Sequence, residues 1–142
     1  MVKKIYFNNL KENQFYTDSV KVTDTNIKKF ASASGDNNPI HLNEEFAKKT
    51  IFKSRIAHGM LIASFISSVI GNKFPGNGTI YVSQNLKFKR PVKINDVVKI
   101  KITVEKKNYK KEMVSAQHFL FCKKQNSSRR NSCSDTTTKK LI

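Results

Sequence analysis

The stretch His58-Gly59-Met60-Leu61-Ile62-Ala63-Ser64-Phe65-Ile66-Ser67-Ser68-Val69-Ile70 contains no Asp, Glu, Lys or Arg. A helix formed by it offers water little to touch, so the rest of the chain has to wrap it. Ser64, Ser67 and Ser68 interrupt the apolar run, which also falls short of the roughly 20 residues needed to span a bilayer. The segment is expected as a buried central helix from about His58 to Ile70, stopped at Gly71 and followed by a loop through Pro75, Gly76 and Gly78.

Beyond that loop, three segments read as strands: Thr79 to Phe88, Asp96 to Val104 and Met113 to Cys122. In the second, Val98, Ile100, Ile102 and Val104 alternate with Val97, Lys99, Lys101 and Thr103, giving one buried face and one basic face. A buried helix followed by a meander of strands points to an α+β domain, an antiparallel sheet wrapped around the central helix. No internal repeat is present. From Lys123 the pattern dissolves into Ser, Thr, Asn, Lys and Arg. Residues 1–122 are therefore read as the domain, and residues 123–142 as an atypical polar, basic tail expected to be disordered.

Upstream of the helix, Ile5 and Phe7 and then Phe15 to Val22 read as two short opening strands. Thr23 or Thr25 is placed to cap a short amphipathic helix in which Ile27, Phe30, Ala31 and Ser34 recur at helical spacing until Gly35. Asp36 to His41 cannot continue that helix, because Pro39 lacks an amide hydrogen and biases Asn38 toward an extended conformation. A shaped loop is expected there. Asn43 then caps a second small helix through Glu44, Glu45, Phe46 and Ala47, and Lys48 to Arg55 leads into the central one.

A chain of 142 residues, 38% hydrophobic, suffices for one domain with its own core. The net charge of +17 raises nucleic acid as a partner. The lysines, however, fall in ones and twos, without an Arg-rich helix or an aromatic-interleaved stripe. A solvated basic surface, or one that attracts a phosphorylated ligand, is expected, and nucleic acid is not. Cys122 and Cys133 build neither a disulfide framework nor a zinc ligand set. Met1 to Leu10 lacks a signal-peptide core, and with no membrane segment the expected compartment is the cytoplasm.

The chemistry gathers at the start of the central helix. Ser34-Gly35-Asp36-Asn37-Asn38-Pro39-Ile40-His41 precedes it, and it opens on Ala57-His58-Gly59-Met60. These segments can bring together a carboxylate, an imidazole and a free helix-start amide, enough to add water across a polarised double bond. Water's attack needs a base and the adjacent carbon an acid, groups that contribute about 10²–10⁴-fold each. The developing oxyanion needs a donor, which the amide of Gly59 supplies at a favourable dipole end, where a glycine lets substrate approach the backbone. Each residue also has an ordinary reading: Asp36 as a turn residue, His41 as a half-buried loop histidine, His58 as a structural one, Ser64 as a serine bonded back to its own helix. The joint spacing with Pro39 and Gly59 favours the site.

Asp36-Asn37-Asn38-Pro39-Ile40-His41 with Ala57-His58-Gly59-Met60-Leu61 resembles the MaoC-like hydratases of the hot-dog fold, especially the (R)-specific enoyl-CoA hydratases. The resemblance covers roughly Ser19 to Val104, with Phe88-Lys89-Arg90-Pro91-Val92 and Asp96 included. It implies a lyase of fatty acid metabolism that reversibly hydrates a trans-2-enoyl thioester of coenzyme A or acyl carrier protein to the (R)-3-hydroxyacyl thioester, as a homodimer and without a cofactor. Asp36 and His41 would hold the water, Gly59 would receive the thioester oxygen, and Asn38, His58 and Ser64 would lie at the substrate. A metal at Asp36, His41 and His58 is not expected, since no ligand spacing supports one. Lys87, Lys89, Arg90 and Lys93 would steer the acidic carrier.

One departure stands out. In place of an apolar, Gly-containing last strand the chain has Lys123-Lys124-Gln125-Asn126-Ser127-Ser128-Arg129-Arg130, so the sheet is expected to lack that strand. The alternatives are a hot-dog acyl-CoA thioesterase, which usually lacks the hydratase loop, and a non-catalytic acyl-thioester or nucleic-acid binding module using charge alone.

Overall fold

The computed structural model describes residues 5–123 and 131–137. Helix α1 (Asp24–Ser34) begins with a reciprocal capping box between Thr23 and Asn26 and ends at Gly35, whose φ of 76° lies in the left-handed region that glycine adopts without strain. Two short helices follow, α2 (Pro39–Leu42) and α3 (Glu44–Lys48), and then the long α4 (Gly59–Asn72). Strand β1 (Phe15–Lys21) precedes α1; β2 (Asn85–Phe88), β3 (Val97–Asn108), β4 (Met113–Lys123) and β5 (Asn131–Thr137) follow α4.

The five strands form one antiparallel sheet in the order β1-β3-β4-β5-β2. Val98, Ile100, Ile102 and Val104 of β3 are buried, as the alternation requires, and join Val114, Ala116 and Leu120 of β4 in the core. Against them pack Leu61, Ile62, Phe65, Ile66, Val69 and Ile70 of α4. Burial of each such side chain is worth about 1.5–3 kcal/mol, so the uncharged helix is the centre of the fold's stability. This is the α+β, hot-dog arrangement of sheet and central helix.

Several expectations need correction. Phe7 does not open a strand: Phe7–Asn9 is a single 3₁₀ turn closed by Asn9 and Leu10 amides on the Tyr6 and Phe7 carbonyls. Two alternating residues were too few to distinguish the two conformations. The expected strand from Thr79 forms only at Asn85–Phe88, because Thr79 is held in a turn by its amide on the Gly76 carbonyl. Asp36 to His41 is not loop throughout, since Pro39 starts α2 at the position where a missing N–H costs nothing.

The largest correction concerns the tail. Residues 131–137 are a strand, bonded to β4 on one side and β2 on the other, so the sheet does not lack a member and the domain extends past residue 122. Backbone pairing on both edges does not require apolar periodicity, which is why the sequence pattern is silent there. The rest of the expected tail, residues 124–130 and 138–142, lies outside the described residues. Among the described residues no helix is long and apolar enough to cross a membrane.

Candidate active site

Gly35 turns the chain out of α1 and into Asp36, whose Oδ1 accepts the Asn38 amide at 3.3 Å. Asn38 in turn caps α2, its Oδ1 accepting the Ile40 amide at 3.1 Å. These two side-chain turns set His41 one turn into α2. Its Nδ1 lies 2.8 Å from the Ile56 carbonyl. A carbonyl only accepts, so Nδ1 carries a proton and the Nε2 position is the one left to face the site.

The segment before α4 is tied to the turn ahead of β3. The Ala57 amide donates to the Val92 carbonyl at 2.7 Å, and Ile56 bridges Lys93. Buried Asp96 accepts the Lys93 amide at 2.9 Å, which holds that turn in shape. His58 then occupies the N-cap of α4, and Gly59 is its first residue. The first amides of a helix have no carbonyl partner within it, so Gly59 opens a run of free donors.

One ligand atom each of Asp36, His41 and His58 lies within 4.8 Å of the others. A water hydrogen-bonded to two such groups can span up to about 5.6 Å, so Asp36 and His41 can share one. His41 and Gly59 also line a cavity of about 390 Å³ together with Phe52, Ile56, Ile62 and Val92. That is within the roughly 300–1,000 Å³ of small-molecule pockets. Phe88, Lys89 and Arg90 complete its wall, bringing two cations to an otherwise apolar space.

The structure thus sets Asp36 beside His41, and His41 with Gly59 in the cavity wall, while Asp36 itself is exposed and is not among the cavity-lining residues. Asn38, His58 and Ser64, expected at the substrate, are not among the cavity-lining residues. Asn38 is spent on capping α2, and buried His58 donates from Nε2 to the Asp36 carbonyl at 3.0 Å. Ser64 is exposed and donates to the Leu61 carbonyl at 2.7 Å, the ordinary helix-serine arrangement. Lys93 is also drawn inward, its Nζ donating to the Phe52 carbonyl at 3.2 Å, whereas Lys87, Lys89 and Arg90 are exposed.

Asp36, His41 and His58 are close enough to hold a cation as well, a closeness that their spacing in sequence does not disclose. The hydrogen bonds to Ile56 and Asp36 leave one nitrogen on each histidine for such a role. Behind the site, Arg55 bridges Asp24 of α1 at 2.9 Å and Glu44 of α3 at 3.4 Å. Lys28 and then Arg55 hold the Asp24 carboxyl below its usual range. The sequence showed Arg55 as one of several basic residues and gave no sign of this bridge.

Residues 7–119 match the family model described as MaoC like domain. The chain is 50% identical to an (R)-specific enoyl-CoA hydratase of Rhodospirillum rubrum over 70% of its own length and 69% of that protein's. It is 41% identical to a 3-hydroxybutyryl-CoA dehydratase of Methylorubrum extorquens over 72% and 66% of the two chains. Among solved structures it resembles an unliganded R-hydratase from Pseudomonas aeruginosa with a TM-score of 0.86 and 34% identity, over 99% of this chain and 92% of that one. An (R)-hydratase from A. caviae gives a TM-score of 0.81 and 32% identity, over 93% and 95%.

Proposed function

Because the chain belongs to the MaoC-like domain family, we propose that it is a hydro-lyase that reversibly hydrates a trans-2-enoyl thioester to the (R)-3-hydroxyacyl thioester. The observation that carries this reading is that His41 stands at once beside the Asp36 carboxylate and in the wall of the cavity that Gly59 opens into. Relatives that act on coenzyme A and acyl carrier protein thioesters support the substrate class.

Substrate enters with its enoyl group in the apolar cavity and its thioester oxygen at the Gly59 amide. As charge moves onto that oxygen, the amide and the helix dipole stabilise it, worth about 3 kcal/mol by comparison with other oxyanion donors. Asp36 and His41 hold the water between them. Its oxygen bonds to the β-carbon, the π bond breaks toward the thioester, and the α-carbon gains a proton. The pair takes one proton from water and returns one to carbon, so the addition balances without a redox partner.

A second copy of the chain completes this reading. Met60 on α4, Ile80 and Val82 in the segment that leads to β2, and Phe88 at the end of β2 are exposed apolar side chains, and β2 is an edge strand among the described residues, a surface suited to pairing in a homodimer. The cytoplasm is the proposed compartment.

The test is loss of enoyl absorbance on mixing purified protein with crotonyl-CoA, for the native chain beside Asp36→Ala and His41→Ala. Turnover by the native chain, severe loss in both variants and no release of free thiol are expected. Thiol release would instead indicate a thioesterase, and no turnover by a folded protein would indicate a binding module.

A further inference from the structure

We propose that His58 is the positioning residue of the site, orienting Asp36, His41 and Gly59 without touching substrate; the inference rests on the hydratase reading above. His58 is 1% exposed, and its Nε2–H holds the main-chain carbonyl of Asp36 at 3.0 Å. Its ring packs against that of His41 at a tilt, with centroids 3.8 Å apart and planes 32° apart. It immediately precedes Gly59, and the ring of Phe30 packs against it at 5.0 Å.

Neither capping nor packing explains a histidine here. Its side chain makes no cap hydrogen bond to α4, and at that position Ser, Thr, Asp and Asn are the strong choices. Its Nδ1 is buried with no hydrogen-bond partner, a cost that an apolar side chain of similar size would avoid. What histidine supplies is a flat ring for His41 and, at its far end, a donor for Asp36. This ring contact limits the rotation of a ring already pinned at Nδ1 by Ile56, so the direction of the His41 Nε2 lone pair is set. The bond to the Asp36 carbonyl fixes the loop from which the carboxylate meets it.

The experiment compares His58→Phe, His58→Gln and His58→Asn. The side-chain amide nitrogen of glutamine falls where imidazole Nε2 lies, and that of asparagine where Nδ1 lies. His58→Phe is expected to lower kcat on crotonyl-CoA about 100-fold with KM little changed, the cost of misplaced reacting groups. His58→Gln should restore most of kcat and His58→Asn should not. In imidazole nitrogen spectra, His41 should appear as the single Nδ1–H tautomer in the native chain and also in His58→Phe, which keeps a ring against it and leaves the Ile56 carbonyl in place, so that the loss of kcat there reads the missing donor to Asp36.

Native kcat in a folded His58→Phe, or equal kcat in the Gln and Asn variants, overturns the proposal. If His58→Phe does not fold, the Gln and Asn pair decides alone. A folded native chain that shows the single His41 tautomer and yet turns over no enoyl thioester overturns the hydratase reading and leaves the positioning geometry standing.

Discussion

The ring of Phe88 lies so close over Gly59 that a Cβ added to the glycine would sit 3.2 Å from its Cε2 and Cζ. The helix start and the end of β2 therefore meet across a gap that only a glycine leaves open. In Gly59→Ala the half-exposed ring has to move, and it forms part of the cavity wall. Alanine favours the helix, so the melting temperature is expected to hold while kcat/KM for crotonyl-CoA falls by roughly tenfold or more. Unchanged kinetics would show that the contact does not shape the reacting geometry.

Asp36→Asn separates charge from shape. Asparagine keeps an Oδ1 to accept the Asn38 amide, so the turn should persist, while the carboxylate is lost. A drop in kcat of about 10²–10⁴-fold at native stability is expected. Asn38→Ala should do the reverse, costing about 1 kcal/mol through the lost cap of α2 and less in activity. Kinetics and denaturant melts on both variants check the contrast.

His118 on β4 is fully buried, and burial lowers its pKa from 6.5 to about 4. The unfolded chain binds this proton more readily than the folded one, so its contribution is whole above the unfolded value and is lost as pH falls from about 6.5 toward 4. Between about pH 7 and pH 4.5 the native chain should lose roughly 2–3 kcal/mol more than His118→Leu, measured by urea melts. The lowered Asp24 carboxyl acts only below its ordinary 3.8, so the two windows do not overlap.

The sequence was most legible where chemistry and periodicity coincide. The uncharged run after Gly59 could only be central, and β3 could only present one face to it. Asp36, His41 and Gly59 could be singled out because the proposed reaction needs those groups and their spacing is distinctive. Asn38, His58 and Ser64 carried polar side chains near the motifs, but which way each turned depends on local hydrogen bonds that spacing does not encode. β5 was illegible because its strand is defined by two neighbouring backbones and not by its own side chains. The cavity wall of Phe52, Ile56, Ile62 and Val92 likewise exists only once α4 meets the turn before β3.

Arg90 sits at the cavity wall, exposed, within a chain of net charge +17. If it draws in an acidic thioester carrier, Arg90→Glu should lower kcat/KM by up to about tenfold at low salt. The difference should shrink as salt screens the charges, with kcat unchanged throughout. A deficit that persists at high salt would mean that Arg90 contacts the substrate directly.

Among the described strands β2 pairs only with β5, and Phe88 at its end leads into Lys89 and Arg90 of the cavity wall. A chain ending at residue 130 would leave β2 without a neighbour and expose the edge of β4, which invites pairing between molecules. Expected are a lower melting temperature, aggregation and loss of enoyl hydration, although Asp36, His41 and Gly59 are untouched. Light scattering, thermal melts and crotonyl-CoA kinetics on the shortened chain check this. A shortened chain that stays monodisperse and active would show that α4 and the β1-β3-β4 sheet hold the site without β5, and that the polar segment from Asn131 contributes nothing to it.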